Sequence, residues 1–383
     1  MRKIKVLLLL HDLSPTGAPK LAVSAFERFQ DQIELHTISY HGGPLRDRVR
    51  ALGPVQTLVS FQWPGGMPTP RALLLFLGHR SLSVGKARVW SEQVRRWKPD
   101  LVYVNSVAGL LAAKRLNLPT APVLLHVHEL DSFLHPMSRD APALLLGLPD
   151  RYVAVSSAVA DALTGRYGVD KEKVVVVPAF VEAFPLPDSA LPRPEDTRLV
   201  VGGAGVVSWV KGVPLWLLMA AEVKKRLGAG RVRFVWVGMV EDEEGWRFRE
   251  MARKLHLTGD IELVPFTPRP LDHYAGFDIF ALTSWEETAS LAALENMLLQ
   301  KVVVCFAGAG GPPEFVGAAG IIVPEFSPPD MAAAIVALAE DPARRAMLGE
   351  AARRRVLDNF TAERQAPRLL AEIRRLSEGF MGD

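Results

Sequence analysis

Short apolar runs alternate with amphipathic stretches along almost the whole chain, and this alternation predicts the fold class. Apolar runs separated by stretches with the 3.6-residue spacing of helices are typical of βαβ units that build a parallel sheet. In the first half the runs lie at residues 4–10, 33–39, 55–59, 101–105, 123–128, 152–155 and 174–178. A second series lies at residues 199–205, 233–238, 261–264, 279–283, 302–306 and 321–323. We therefore predict an α/β chain with two doubly wound, Rossmann-like domains that face each other across a cleft.

A proline-rich polar stretch separates the two series. Residues 185–194 hold four prolines together with Asp188 and Ser189, and this composition favours a linker. The segment from 341 to 376 is strongly helical in pattern and rich in arginine. We predict an N-terminal domain over residues 1–187, a second domain over 188–360 and a C-terminal helix within 361–383.

Composition limits the class of protein and its compartment. A chain of 383 residues with 49% hydrophobic content can bury substantial cores, and its length suggests two domains. A single cysteine excludes an internal disulfide framework and a clustered cysteine metal site, so a reducing cytoplasm is the simplest location. The first apolar run is far too short to span a bilayer, and no small-residue cleavage site clearly follows it, so we predict a buried strand.

The charge balance bears on partners. The net charge is only +3, with an isoelectric point near 9.0, and the chain has no base-reading motif, so nucleic acid is not an expected partner. Basic residues are concentrated between residues 71 and 98, where they are interleaved with Trp90 and Trp97. This pattern favours a helix with one solvated basic face and with tryptophans that face the core. The open alternative is peripheral contact with an anionic membrane at its inner face.

The stretch from Ala281 to Met297 carries the clearest chemistry. Residues 280–283 are predicted to end a buried strand, residues 284–288 to form a turn and residues 289–299 to form a helix. A helix that begins at such a point directs unpaired N–H groups and the positive end of its dipole into the ligand crevice, which suits a pyrophosphate.

Glu287 and Glu295 stand eight positions apart in this stretch. At about 1.5 Å per helical residue they are separated by roughly 12 Å, so one can hold a sugar and the other a ribose, with a diphosphate between them. The alternative is that Glu287 is an N-terminal charge favoured by the helix dipole and Glu295 a solvated helix residue.

This stretch resembles the Glu-x7-Glu motif of retaining GT-B glycosyltransferases of family 4, the glycosyl transferases group 1. In that family Ser-x-x-Glu precedes a Leu-Glu-Ala-Met helix, and the residues that match are Ser284, Glu287, Leu294, Glu295 and Met297. The family's usual Gly-Phe-Gly or Pro-Phe-Pro run is replaced by Thr288, Ala289 and Ser290. These residues are small, so the resemblance still implies phosphate access to the backbone from Thr288 to Leu291.

Three further segments of the second half resemble the same family. The segment from Gly205 to Gly212 resembles Gly-Arg-x-x-x-x-Lys-Gly, with Lys211 at the lysine and Val206 where the arginine usually lies. An alternative is that Val206 packs against apolar neighbours. The segments 310–316 and 320–324 resemble Gly-Gly-x-Pro-Glu and Gly-x-x-Val-Pro. A dinucleotide fingerprint at residues 202–205 is incomplete because the third glycine is lacking.

In the first half, two strand ends carry candidate ligand contacts. Gly17 and Ala18 follow the first strand at a strand-to-helix crossing, and the resemblance implies that they form the family's glycine-rich loop. His128 ends the strand 123–127 and resembles the family's cleft histidine, which contacts the donor sugar. His126 is predicted to be a packed neighbour. A zinc site from these histidines with Glu129 is not favoured, because alternate strand positions rarely converge on one ion.

The resemblance implies a hexosyltransferase-like enzyme of class EC 2.4, of the kind used in cell-surface polysaccharide biosynthesis. It would move a sugar from a nucleotide-diphosphate sugar to a hydroxyl acceptor, which is a glycan, a lipid-linked sugar or a small molecule, with retention of configuration. Glu287, His128 and Lys211 are the implied catalytic residues, and Glu295, Gly205 and the two loops described above are the implied donor contacts. The family also implies that residues 1–187 form the acceptor-side domain, that residues 188–360 bind the nucleotide sugar and that the C-terminal helix crosses back to the N-terminal domain.

Neither a cofactor nor a metal is expected, because the chain has no Asp-x-Asp and the diphosphate is assigned to Lys211 and a helix N-terminus. Three alternatives stay open: a nucleotide-sugar epimerase, a phosphorylase on the same fold, and a GT-B protein that binds nucleotide sugars without turnover. A phosphorylase with pyridoxal phosphate needs a Schiff-base lysine, and no lysine here has a convincing context.

Overall fold

The computed structural model describes residues 2–59, 85–116, 118, 120–187 and 198–381. Within these residues thirteen strands form two parallel sheets, one of seven strands and one of six. The chain divides into two compact units. Unit 1 comprises Met1–Pro178 with Gln365–Asp383, and unit 2 comprises Ala179–Arg364. The thirteen strands overlap the thirteen apolar runs of the sequence, so the predicted α/β class is confirmed.

The sheet of unit 1 has the strand order β3-β2-β1-β4-β5-β6-β7. Its strands are β1 (Ile4–Leu10), β2 (Ile33–His41), β3 (Val55–Val59), β4 (Leu101–Asn105), β5 (Val123–Val127), β6 (Arg151–Ala154) and β7 (Val174–Val176). Strands β4 and β5 are buried along their whole length, as expected for a parallel sheet that is covered on both faces. The strand order reverses at β1, so the carboxyl ends of β1 and β4 border the crevice where such sheets bind ligands.

Short helices connect these strands. They are α1 (Gly17–Arg28), α2 (Arg46–Leu52), α3 (residues 85–97), α4 (Leu110–Arg115), α5 (Asp131–Asp140), α6 (Pro142–Leu145) and α7 (Ser157–Asp161). Helix α1 covers the sheet with a continuous apolar face, and its Phe26 ring meets Tyr103 of β4 edge to face at 5.2 Å.

The sheet of unit 2 has the strand order β10-β9-β8-β11-β12-β13. Its strands are β8 (Leu199–Ala204), β9 (Val232–Met239), β10 (Ile261–Pro265), β11 (Ile279–Leu282), β12 (Val302–Phe306) and β13 (Ile321–Val323). The order reverses at β8, so the ligand crevice of this sheet is expected outside the carboxyl ends of β8 and β11.

The helices of unit 2 bury a core rich in aromatic rings. They are α8 (Val213–Leu227), α9 (Glu243–Lys254), α10 (Pro270–Tyr274), α11 (Leu291–Leu298), α12 (Pro312–Val316), α13 (Pro328–Glu340) and α14 (Pro342–Asn359). Trp216 of α8 and Trp236 of β9 pack edge to face at 5.3 Å, and Phe248 of α9 lies against both rings. These contacts fix α8 and α9 against the sheet.

The last helix, α15 (Ala362–Met381), begins in unit 2 and belongs to unit 1 from Gln365 onward. Its Glu372 accepts from Arg151 Nε at 3.0 Å, and its Arg368 donates to the Val176 carbonyl at 3.0 Å. The helix is therefore held against strands β6 and β7. The predicted domain boundaries at 187 and 360 and the acceptor and donor roles of the domains stay predictions.

Part of the basic segment and most of the predicted linker lie outside the described residues, namely 71–84 and 188–194. In α3, the Trp97 indole donates to Glu34 Oε1 at 2.7 Å and its ring packs on His36. Arg95 and Arg96 are exposed and both pair with Glu92. This half of the segment fits the interpretation of a solvated face with inward tryptophans, while membrane contact stays a prediction. Among the described residues, no helix has the length and apolar character needed to cross a bilayer.

Gly212 tests how tightly the start of α8 is fixed. Its φ is +60°, and a Cβ there would lie 1.9 Å from the Thr283 carbonyl oxygen. Gly230 has a similar φ of +78° but open space around it. Both alanine variants take on the left-handed strain of about 1–2 kcal/mol. Only Gly212→Ala adds steric overlap, typically about 1–3 kcal/mol.

We therefore expect Gly212→Ala to lower the melting temperature clearly more than Gly230→Ala, measured by thermal unfolding under the same conditions. Equal losses for the two variants would contradict the close approach of Gly212 to β11.

Candidate active site

An ion pair lies at the carboxyl ends of β8 and β11. Lys211 belongs to a short turn, Trp209–Lys211, between β8 and α8, and Glu287 lies in the turn after β11. Lys211 Nζ donates to Glu287 Oε2 at 2.6 Å, and the side chains are only 27% and 10% exposed. Ser284 Oγ donates to the same oxygen at 3.2 Å. Two of the three residues predicted to be catalytic are therefore in contact, at the point where the sheet topology favours a ligand.

Backbone contacts hold the two turns together. Trp285 N–H donates to the Val210 carbonyl at 2.9 Å, and Thr283 Oγ1 donates to the Lys211 carbonyl at 3.2 Å. On its other side, Glu287 donates to Ala309 at 2.7 Å and accepts from Gly311 at 2.8 Å. Glu287 is thus fixed by its own backbone between β11 and the segment after β12.

Gly205 and Val206 shape the space beside Lys211. A Cβ at Gly205 would lie 3.1 Å from Lys211 Cε, so the glycine lets the lysine stem run close to the backbone. Val206 is 45% exposed, so its neighbours cover it only in part. The alternative that it packs against apolar neighbours stays open. A side chain at the position of the family's arginine is partly open to solvent, and in this chain it supplies no charge.

Glu295 lies in the second turn of α11 and is only 8% exposed. The interpretation of Glu295 as a solvated helix residue is therefore wrong. The carboxylate is close enough to Tyr274 to add to the effect of burial, which raises the pKa of that phenol. Because a buried glutamate is normally paired, this burial excludes a solvated position, and the contact of Glu295 with a ligand stays a prediction.

Helix α11 begins two residues later than predicted. Ser290 is its N-cap, and the Ser290 hydroxyl accepts from Ala293 N–H at 3.2 Å. Thr288 and Ala289 therefore belong to the turn, while Leu291 is the first helical residue. These four small or apolar residues still place backbone amides beside Glu287, as the phosphate hypothesis requires.

In unit 1, Gly17 and Ala18 open helix α1 directly after the carboxyl end of β1. Thr16 takes the N-cap position without a side-chain cap bond, and its hydroxyl instead lies 2.8 Å from Ser14 Oγ. Gly17 is exposed, so the helix start is accessible as the glycine-rich loop hypothesis requires.

His128 is held in one tautomer by Asn105. Its Nε2 lies 3.1 Å from Asn105 Oδ1, which only accepts, so Nε2 carries the proton. Burial, with smaller contributions from His126 and His11, holds the pKa of His128 well below 6.5. His128 is thus a neutral hydrogen-bonding group at neutral pH.

His126 is fully buried, and its Nδ1 is hydrogen-bonded to the Tyr103 hydroxyl, which confirms it as a packed neighbour. The Glu129 carboxylate accepts from the amides of Val107 and His128. The Glu129 carboxylate therefore serves as a hydrogen-bond acceptor for two backbone amides. Within the described ranges no three potential ligand side chains are grouped as a metal site requires.

The sequence pattern did not identify Asn105, His11 and His41 as polar side chains at the carboxyl edge of the first sheet. In the described part of the chain, buried atoms without a hydrogen-bond partner include Asn105 Nδ2, His126 Nε2, His11 Nδ1 and His41 Nδ1. Buried polar atoms are normally paired, so these atoms indicate where a polar ligand or water is expected. The available signal for Asn105 was a polar residue that ends an otherwise apolar run.

The buried His126 makes the stability of the protein depend on pH. Burial lowers its pKa from 6.5 to about 3. Below pH 6.5 His126 is protonated in the unfolded chain but stays neutral in the folded protein. The free energy of unfolding therefore falls as the pH falls toward 3. The contribution approaches about 1.4 kcal/mol per pH unit.

We expect the double variant Tyr103→Phe/His126→Phe to lose less stability than the wild type between pH 7.5 and 4.5. Removing both partners together avoids an unpaired buried hydroxyl. Tyr103→Phe alone is the control and keeps the wild-type slope. Identical pH slopes of the unfolding free energy in the double variant and the wild type would show that His126 is not a buried neutral group.

Two family models match the chain. The model described as Glycosyltransferase Family 4 matches residues 15–183, and the model described as Glycosyl transferases group 1 matches residues 195–341. Between them they cover most of both units, and they agree with the resemblance drawn from the motifs.

Curated relatives include the D-inositol 3-phosphate glycosyltransferases of Kineococcus radiotolerans and Kribbella flavida. The first is 30% identical over 230 residues, which is 54% of this chain and 53% of the relative. The second is 29% identical over 278 residues, which is 65% of this chain and 64% of the relative. The chain therefore spans between half and two thirds of these relatives.

Solved structures confirm the predicted GT-B fold. Anabaena HepE in complex with UDP-glucose superposes with a TM-score of 0.78 at 20% identity, covering 97% of this chain and 100% of that one. Sucrose-phosphate synthase from Thermosynechococcus elongatus gives a TM-score of 0.74 at 17% identity, covering 99% and 100%.

Proposed function

The chain belongs to glycosyltransferase family 4, and we propose that it transfers a sugar from a nucleotide-diphosphate sugar to a hydroxyl acceptor with retention of configuration. The observation that carries the proposal is the Lys211–Glu287 pair at the topological switch point of unit 2, with the buried Glu295 in the second turn of the adjoining helix α11. A sugar, a diphosphate and a ribose together need contacts of this kind. The activity falls in class EC 2.4.

The names of similar proteins supply the first ligands to test. HepE was solved with UDP-glucose, so UDP-glucose is the proposed first donor. The curated relatives are named for D-inositol 3-phosphate, so a phosphorylated cyclitol is the first acceptor to test beside simple glycosides.

In unit 2, Lys211 is assigned to the diphosphate, Glu287 to the sugar and Glu295 to the ribose. Glu287 accepts a hydrogen bond from Lys211 Nζ at 2.6 Å, so the ammonium group is held in the turn after β8 while the carboxylate competes with the diphosphate for its charge. The negative charge on the leaving diphosphate grows as the glycosidic bond breaks, and a fixed cation stabilises that state more than the ground state. The exposed turn around Gly205 and the start of α11 from Thr288 to Leu291 complete the proposed donor contacts.

In unit 1, His128 is assigned to a hydrogen bond with the donor sugar, and Gly17 and Ala18 to a polar group of a substrate. The low pKa of His128 means that it donates or accepts a hydrogen bond without serving as a proton source at neutral pH. The unpartnered atoms of Asn105 and His126 lie at the same sheet edge, which supports a hydroxyl-rich or phosphorylated ligand there.

A nucleotide-sugar-binding protein with weak or no turnover is the second candidate. The observation that favours it is Val206, which supplies no charge at the position of the family's arginine. The proposed location is the cytoplasm, with peripheral contact through residues 71–98 at the inner face of the membrane as a further proposal.

We expect the purified protein to release nucleotide from UDP-glucose or another nucleotide sugar of a panel, faster when D-inositol 3-phosphate or a methyl glycoside is present. Lys211→Ala is expected to lower kcat by roughly 10²–10³, with a smaller effect on donor binding. Lys225→Ala is the matched control, because Lys225 is an exposed lysine on α8. Turnover is expected to persist in EDTA, since the proposed charge on the diphosphate comes from Lys211.

Donor binding without turnover across the panel would select the binding protein. Loss of turnover in EDTA that Mg²⁺ or Mn²⁺ restores would overturn the metal-independent assignment.

The two glutamates are expected to act on different parts of the donor. Glu295→Gln should weaken free UDP by about 1.5–3 kcal/mol, the usual contribution of a hydrogen bond to a charged group. Glu287→Gln should leave UDP affinity at or above the wild-type value, because it removes a competing anion from Lys211, while it weakens the sugar contact. Calorimetric titration of each variant with UDP and UDP-glucose separates these effects. Unchanged UDP affinity in a folded Glu295→Gln variant would refute the ribose assignment.

A further inference from the structure

Each member of the Lys211–Glu287 pair is preceded by a tryptophan in its turn. Trp209 stands two residues before Lys211, and Trp285 stands two residues before Glu287. Their rings lie within 12° of parallel with centroids 6.3 Å apart, and Trp209 is 65% exposed. The two turns that carry the proposed catalytic pair therefore also carry an aromatic face that is open to solvent.

This face is supported from the core outward. Trp285 packs on Phe326 at 4.9 Å, and Phe326 packs on the fully buried Phe306 of β12 at 5.2 Å. Gly308 makes room for this stack, because a Cβ there would lie 2.7 Å from the Phe326 ring. Four rings thus form a continuous ladder from the sheet to the surface, which distinguishes Trp209 from an isolated exposed hydrophobic residue.

The backbone beneath Trp209 is also fixed. The Trp285 amide donates a hydrogen bond to the Val210 carbonyl. Gly212 lies so close to the Thr283 carbonyl that no side chain fits at its position. The indole is therefore presented on a rigid turn. A preorganised surface of this kind loses little conformational freedom when a ligand binds.

The position of these four rings in the site indicates which part of a ligand Trp209 would contact. Both tryptophans belong to the turns that carry Lys211 and Glu287, whereas the nucleoside is assigned to Glu295, which lies in the second turn of α11. Ligand sites combine an apolar surface with a few placed polar groups. Here a flat aromatic face adjoins a lysine and a glutamate, which together suit a ring with one C–H face and hydroxyl groups at its edge.

We propose that Trp209, supported by Trp285, forms a stacking surface for the C–H face of a pyranose or cyclitol ring bound beside Glu287. The inference rests on the proposed function and deepens it by assigning a residue that recognises the ring. The ring comes either from the transferred sugar of the donor or from the acceptor, and the two sources are separated by experiment.

Steady-state kinetics with UDP-glucose and D-inositol 3-phosphate test the surface. Trp209→Ala is expected to raise KM for the partner whose ring stacks by roughly 3- to 10-fold, the range of a single aromatic contact. Trp209→Phe restores part of the loss, and the Kd of free UDP stays at the wild-type value. Trp246→Ala is the matched control, because Trp246 is 62% exposed on α9 and has no assigned role.

A second readout needs no turnover. The tryptophan fluorescence of the wild type minus that of Trp209→Phe isolates Trp209 during titration with UDP, UDP-glucose and D-inositol 3-phosphate. A response to UDP-glucose beyond that to UDP assigns the ring to the donor, and a response to the cyclitol assigns it to the acceptor. Either response supports the surface even if the protein turns out to bind without catalysis, so failure of the proposed function is distinguishable.

Three outcomes overturn the inference. The first is unchanged KM values in Trp209→Ala together with no Trp209 fluorescence response to any of the three ligands. The second is an equal loss of affinity for UDP and UDP-glucose, which assigns the indole to the nucleobase. The third is a change of sedimentation in Trp209→Ala with unchanged ligand affinity, which assigns the face to contact between protein chains.

Discussion

The close approach of two strand-end turns in unit 2 is the constraint on which the candidate site depends. The turn after β8 and the turn after β11 meet where Gly212 lies against the Thr283 carbonyl, and no residue with a side chain fits there. Lys211 and Glu287 then face each other at 2.6 Å, although 76 positions separate them in the chain. Removing either member leaves the other partly shielded and unpaired, which is costly, so the pair positions both groups for a ligand.

The two units supply different electrostatics. Unit 2 presents fixed charge, with an ammonium group held by one carboxylate and a second carboxylate buried in α11. Unit 1 presents neutral hydrogen-bonding groups at the edge of its sheet, because burial holds the pKa of His126 at about 3 and that of His128 well below 6.5. An acid limb in a pH–rate profile near 6.5 therefore cannot come from His128, although histidine is usually the group that titrates there.

The sequence predicted regular structure well and contacts poorly, for a physical reason. Strands buried on both faces, such as β4 and β5, appear as continuous apolar runs, and each of the thirteen described strands overlaps an apolar run of the sequence. Glu287, Glu295 and Lys211 were proposed because the resemblance to the family motifs points to these positions. The start of α11 was misplaced by two residues because either Thr288 or Ser290 can cap a helix, and only the structure shows that Ser290 does. The stacking of Trp209 on Trp285, the burial of Glu295 and the exposure of Val206 depend on residues distant in sequence, which no local periodicity records.

The proposed assignments also separate the effect of Val206 on the rate from the effect of Trp209 on binding. A cation at position 206 would meet charge that grows on the diphosphate during bond cleavage, so its contribution would belong to the transition state. Trp209 contacts the ring of the ligand equally before and during the reaction. Its contribution is therefore uniform binding, which lowers KM without raising kcat. The aromatic surface therefore cannot replace the missing charge in catalysis. A chain with Val206 and an exposed Trp209 is expected to hold its ring-bearing ligand well and turn it over slowly, and Lys211 is left as the group on which the rate depends.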